Sequence, residues 1–184
     1  MTPLRALLLL LCLAITPLSR ADERLMVQTG REVFGLFPTA TPAAFIKRLG
    51  APTARIPLRN GREGLLYGNS MLLVFAGAVL QEVRCWKLET FTEDLFLGWL
   101  QAVEYQGPAL EFGVDDQLWL GQNREVVTPL LVGLEGSGDE RSDLVLKNGS
   151  QVWLGYAPPS SYRLGNDDEQ RVLVSISVRF NQPR

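Results

Sequence analysis

Leu58-Arg-Asn-Gly-Arg-Glu-Gly-Leu-Leu66 and Leu146-Lys-Asn-Gly-Ser-Gln-Val-Trp-Leu154 are the stretches on which the fold reading turns. Four of the nine positions are identical at a constant offset of 88, and Arg/Lys and Glu/Gln are conservative at two more. In each stretch an Asn-Gly pair lies between strand-like runs. That pair suits a two-residue type I′ hairpin because both residues accept positive φ. The repeat predicts a hairpin at the same place in two tandem units.

Upstream of the first hairpin, Thr41 can cap a helix and Pro42 fits its first position. Phe45, Ile46 and Leu49 form its apolar stripe and Gly50 ends it. Upstream of the second, Asn123 precedes Val126, Val127, Leu130 and Leu131, with Pro129 set to shorten or kink that helix. Gly50 and Gly133 are 83 apart, so the polar Gly136–Ser142 stretch reads as an insertion before the second hairpin.

Downstream, Met71–Phe75 and Val79–Trp86 flank a tight turn at Ala76-Gly-Ala78. Arg171–Phe180 alternates, with Val172, Val174, Ile176, Val178 and Phe180 expected on one face. Between the copies, Thr90 and Glu93 fit a capping box opening a helix over 92–105. Leu25–Gln28 and Glu32–Leu36 look strand-like. The expected fold class is therefore α+β: two tandem units, each one or two helices packed on an antiparallel three- to four-stranded sheet. The units are placed at 22–89 and 90–184.

Residues 1–21 combine a short basic start, an apolar run from Ala6 to Leu18 and Ser19-Arg-Ala21. This reads as a cleaved export signal, too short to span a membrane with ease. It holds Arg5 and Arg20 and no acid, so its removal takes the formal charge from −2 to −4. Cys85 is then the sole cysteine, which leaves no intramolecular disulfide. The expected location is the periplasm or beyond.

Histidine is absent from the chain. That excludes Ser-His-Asp and Cys-His catalysis and every metal site that needs imidazole. The charge balance lacks a nucleic-acid signature. No cofactor or metal pattern and no catalytic set stands out. Asp115-Asp116 and Asp167-Asp-Glu169 read as solvated turns without calcium-loop spacing. Gly133–Gly138 lacks the Lys-Ser/Thr of a phosphate loop. Cys85, with no partner to acidify it, reads as a core thiol.

The run Ala43–Pro52, the strand through Leu66-Tyr-Gly68 and Leu73–Val83 resemble the SmpA/OmlA repeat, and Leu120–Val127 is similar to the start of that family's second helix. The same unit in tandem resembles β-lactamase inhibitory proteins. Gly133-Leu-Glu-Gly136 departs from the family's Leu-Gly-x-Pro. The resemblance implies a cell-envelope interaction module.

Strand alternation predicts an outer face carrying Tyr67, Arg84, Trp86, Trp153 and Arg179, residue types that anchor protein interfaces. The leading expectation is a non-enzymatic protein that binds another envelope or secreted protein, with a homo-oligomer left open. A second is an inhibitor of a secreted hydrolase, with the Ala157–Gln170 loop as the plug. A third is a carboxylate-based hydrolase, which would bring Asp115, Asp116 and another acid into one pocket.

Overall fold

The second Asn-Gly pair forms the turn its chemistry favours. Asn148 (φ 48°) and Gly149 (φ 74°) connect a hairpin closed by Lys147 opposite Ser150. The first pair takes the same left-handed backbone, but Arg59 joins it in a 3-10 turn closed by Leu58 N–H donating to Arg62 O. The structure, a computed structural model, describes residues 24–87, 111–158 and 170–180. The signal segment, the helix expected over 92–105 and most of the Ala157–Gln170 loop lie outside the described residues.

Strands β1 (Leu25–Gln28) and β2 (Glu32–Val33) precede helix α1 (Pro42–Leu49). A meander follows: β3 (Ala54–Pro57), β4 (Arg62–Tyr67), β5 (Met71–Ala76) and β6 (Val79–Trp86). The order then recurs: β7 (Phe112–Val114), β8 (Leu118–Trp119), the single-turn α2 (Arg124–Val127), then β9 (Glu135–Gly138), β10 (Ser142–Lys147), β11 (Ser150–Ala157) and β12 (Val172–Phe180). Thr41 Oγ1 caps α1 by accepting from Ala44 N–H, and Gly50 ends it at φ 91°. Pro129 sits where α2 would continue, and the chain tightens into a 3-10 turn.

Both meanders join one eight-stranded antiparallel sheet, ordered β3-β4-β5-β6-β12-β11-β10-β9. The seam is β6 against β12, with Val83 opposite Val178 and Arg84 opposite Ser177. A second sheet, ordered β2-β1-β7-β8, has β1 parallel to β7 at its centre. The fold is thus mainly β, and the expectation of two helix-on-sheet units is corrected. Only two short helices occur among the described residues, while the last strands of both meanders merge through backbone hydrogen bonds.

The hairpin match is corrected too. The offset of 88 equates the β3–β4 hairpin with β10–β11, yet position in the sheet equates β3–β4 with β9–β10. The matching residues serve the same kind of turn, one strand out of step. A bulge in each half also interrupts the expected alternation. Gln81 in β6 has no partner in β5 and Val174 in β12 has none in β11, so Leu80 and Leu173, rather than Gln81 and Val174, enter the core.

The main core lies between the sheet's inner face and α1, the small sheet and the α2 turn. Leu65, Tyr67, Met71, Leu73, Phe75, Val83, Cys85, Val152, Leu154 and Ile176 supply it from the large sheet. Helix α1 contributes Phe45, which packs edge-on to Phe75 with ring centres 5.7 Å apart. A smaller apolar cluster of Ile56, Leu66, Leu72, Val74 and Trp86 occupies the outer face of the first half.

Candidate functional site

One row of residues runs across the outer face of all eight strands: Ala54, Leu66, Leu72, Arg84, Ser177, Trp153, Leu144 and Ser137. The adjacent row places Val74, Glu82, Arg179, Gln151 and Leu146 side by side. The two halves of this face differ. Leu66, Leu72, Val74 and Trp86 are buried, whereas Leu144, Leu146 and Trp153 are 38–40% exposed.

The exposed indole is held in place. Gly155 sits two residues along the same face, and a Cβ there would lie 2.6 Å from the Trp153 ring. The missing side chain lets the indole lie flat along the strand. The open patch thus joins a flattened Trp153 and two leucines to Gln151 and Arg179.

At its inner border lies a polar knot on the seam. Glu82 is buried, and its carboxylate accepts from Arg84 Nε at 2.6 Å and Arg84 Nη2 at 3.1 Å. Arg179 Nη2 is 3.5 Å away, and Ser177 Oγ donates a short hydrogen bond. Burial disfavours the charged carboxylate. Hydrogen bonds from Arg84 and Ser177 and the charges of both arginines outweigh it, holding the pKa of Glu82 below the usual value. The guanidinium groups stay half in water. Two cations around one anion leave this part of the face net positive.

The residues expected on one binding face separate. Arg84, Trp153 and Arg179 share the outer face. Tyr67 does not: it faces the main core and is 6% exposed. The one-strand slip in the hairpin match assigned β4 the wrong face, so Tyr67 is withdrawn as a surface anchor. Its phenol is pushed up to about 12 by burial, against the opposing charge of Arg55. Trp86 is on the outer face but buried in the smaller cluster, so it too offers no open surface.

Strand alternation in the sequence puts Glu82 on the face of Arg84 and Gly155 on that of Trp153, but it gives neither a role and does not single out Leu144 or Leu146. Alternation along β10 puts both leucines on one face, but only the sheet order shows that nothing described covers them.

A second polar cluster ties the small sheet to the tip of the β10–β11 hairpin. Asp115 accepts from Thr29 N–H at 2.7 Å and Thr29 Oγ1 at 2.8 Å, and pairs with Lys147 Nζ at 2.9 Å. Asn148 Nδ2 donates to Thr29 Oγ1 at 2.9 Å. An open cleft of about 360 Å³ borders this cluster, with Gln28, Arg31, Asp116 and Gln117 on its walls. Asp115 and Asp116 both adopt positive φ, an uncommon backbone for residues other than glycine. Asp115 is used as a clasp here, and its charged partner is a lysine, not a second acid. The acidic cluster 167–169 lies outside the described residues.

Cys85 is buried, and burial pushes its thiol up to about 12 against a hydrogen bond from the Trp86 backbone. It is unsuited to nucleophilic or redox chemistry at neutral pH. Among the described residues, no three metal-ligating side chains converge, and no helix is long and apolar enough to cross a membrane.

No protein-family model matches this chain, and no curated protein matches it. A solved structure of an extracellular protein containing an SCP domain, from Bacillus anthracis str. Ames, is similar at 10% identity and a TM-score of 0.45. The match covers 77% of this chain and 43% of that one, so this chain spans less than half the length of the protein it matches.

Proposed function

We propose that this chain is an exported, non-enzymatic module of the bacterial cell envelope that binds another envelope or secreted protein. The observation that carries this reading is the open outer face of the second half of the sheet. There, Trp153 lies flat beside Leu144 and Leu146, with Arg179 and Arg84 at the border. An exposed aromatic within an apolar patch, edged by arginine, has the composition of a protein-binding hot spot. The sheet is rigidly paired beneath it, so little ordering entropy opposes docking.

Export is supported by the signal-like residues 1–21, and the non-enzymatic reading by the lack of histidine and the structural use of Asp115. The test is capture from an envelope extract with the wild type, Trp153→Ala and Arg179→Glu, each checked for an unchanged thermal midpoint. Loss of the same partner from both variants is expected. Recovery of every partner by both variants refutes the use of this face.

A further inference from the structure

The two edges of the large sheet are built differently. At one edge, Leu58 N–H donates to Arg62 O, which marks that pair as hydrogen-bonded. Counting back in twos, Ile56 and Ala54 turn their backbone groups towards β4, and Pro57 and Arg55 turn theirs outward. Proline has no N–H to offer, and Arg55 brings a charged side chain. That edge is blunted against further pairing.

At the other edge, Asp139 N–H donates to Ser142 O at 2.8 Å. By the same count, Ser137 and Glu135 bond to β10, while Gly136 and Gly138 turn their N–H and C=O groups outward. All four residues of β9 are exposed, and neither outward position carries a side chain. The glycines are required by close approach: a Cβ on Gly136 would lie 2.2 Å from Leu144 O, and one on Gly138 would lie 2.0 Å from Asp143 Oδ1. Within Glu135–Gly138 this edge has no proline, no cation and no bulge; the cation Arg124 is held just beyond its end by the backbone oxygens of Asp139 and Glu140 and by Asp143.

We infer that β9 is a strand-addition site that accepts an extended segment of a partner protein, with basic side chains placed opposite Glu135 and Asp139. The inference rests on the protein-binding reading and names the partner's chemistry. The charge pattern selects the occupant. Glu135, Ser137 and Asp139 alternate onto the outer face, and backbone N–H groups of Arg141 and Ser142 hold the Asp139 carboxylate ionised. In a second copy paired antiparallel with Ser137 opposite Ser137, Glu135 would face Asp139, and like charges opposed across strands repel. A segment with Lys or Arg at positions four apart meets both acids with opposite charge. Its central side chain passes over small Ser137 towards exposed Leu144, in the row that continues to Trp153.

The test is a titration of the ¹⁵N-labelled chain with the peptide acetyl-Lys-Thr-Val-Thr-Lys-amide, followed by NMR. The expected result is movement of the Gly136 and Gly138 amide peaks and slower hydrogen exchange at both. A peptide N-methylated at alternate bonds, or one with Glu in place of Lys, should fail. A Glu135→Lys, Ser137→Lys double variant, checked for unchanged β11 peaks, should bind about tenfold more weakly, because the pairing at Glu135 changes sign and Ser137→Lys sets a second cation between the peptide's two lysines. Static glycine peaks at millimolar peptide, or equal shifts with the N-methylated peptide, overturn the inference. Trp153→Ala separates the two readings, since it should leave the glycine shifts intact. If it abolishes partner capture while the β9 edge stays silent, the face reading stands and strand addition falls.

Discussion

Replacing Glu82 with Gln keeps the shape of the side chain and removes its charge. In the folded chain the carboxylate holds two bonds from Arg84, one from Ser177 and the nearby charge of Arg179. Breaking a fully buried ion pair costs about 3–5 kcal/mol because the surviving charge is stranded. Here the survivors are two guanidinium groups already about half exposed, and they can turn to water, so most of that penalty does not apply. What remains is the weakening of charge-assisted bonds to a neutral amide, together with an amide NH₂ facing arginine donors. A loss of about 2 kcal/mol follows, near the middle of the range for hydrogen bonds to charged groups.

Urea unfolding of the wild type and Glu82→Gln, at pH 7 and at pH 3, measures this directly. The pKa of Glu82 is lowered on folding, so its contribution is present above the unfolded value of about 4.3 and fades as pH falls through the folded value. The gap between the two proteins should be full at pH 7 and shrink progressively below about pH 4. A gap under about 0.5 kcal/mol at pH 7, or one that does not change with pH, refutes the ion-pair account.

Three further outcomes are expected. Gly155→Ala forces a Cβ into the Trp153 ring and Ser175 Oγ; it should cost about 1–3 kcal/mol and red-shift the tryptophan emission as the indole lifts into water. Asn148→Ala keeps a positive φ without the local bonding of asparagine and loses the bond to Thr29 Oγ1, so thermal unfolding should show a loss of about 1–2 kcal/mol. Cys85 should not react with a disulfide reagent at pH 8 in the native chain and should react fully in denaturant. Rapid native labelling would show that the thiol is not held in the core.

Local chemistry was legible where neighbours in sequence determine it. Thr41, Pro42 and Gly50 delimit α1 through capping and backbone preference. The Asn-Gly pairs mark turns because few other residues accept two successive positive φ values. What misled was the match between the two hairpins. It compared turns that share a chemistry, and turn chemistry says nothing about which strand of a sheet the turn serves. Tyr67 was consequently assigned to the surface, although its partner Met71 is in the core. The bulges at Gln81 and Val174 were invisible for a related reason: one extra residue in a strand alters the facing pattern without leaving a distinctive residue type.

The amino-acid sequence by itself determined that chemistry requiring histidine is absent, where the chain turns and which strands can form, because these depend on residue type and on neighbours a few positions away. The tertiary structure alone decided that β6 pairs with β12, that Glu82 is buried between two arginines, and that Trp153 lies open. It alone also placed β9 at a sheet edge, unpaired on its outer side among the described residues. Strand order is set by which long-range pairing buries the most apolar surface with its backbone groups satisfied. That choice is made by the whole chain at once, and no short window of sequence records it.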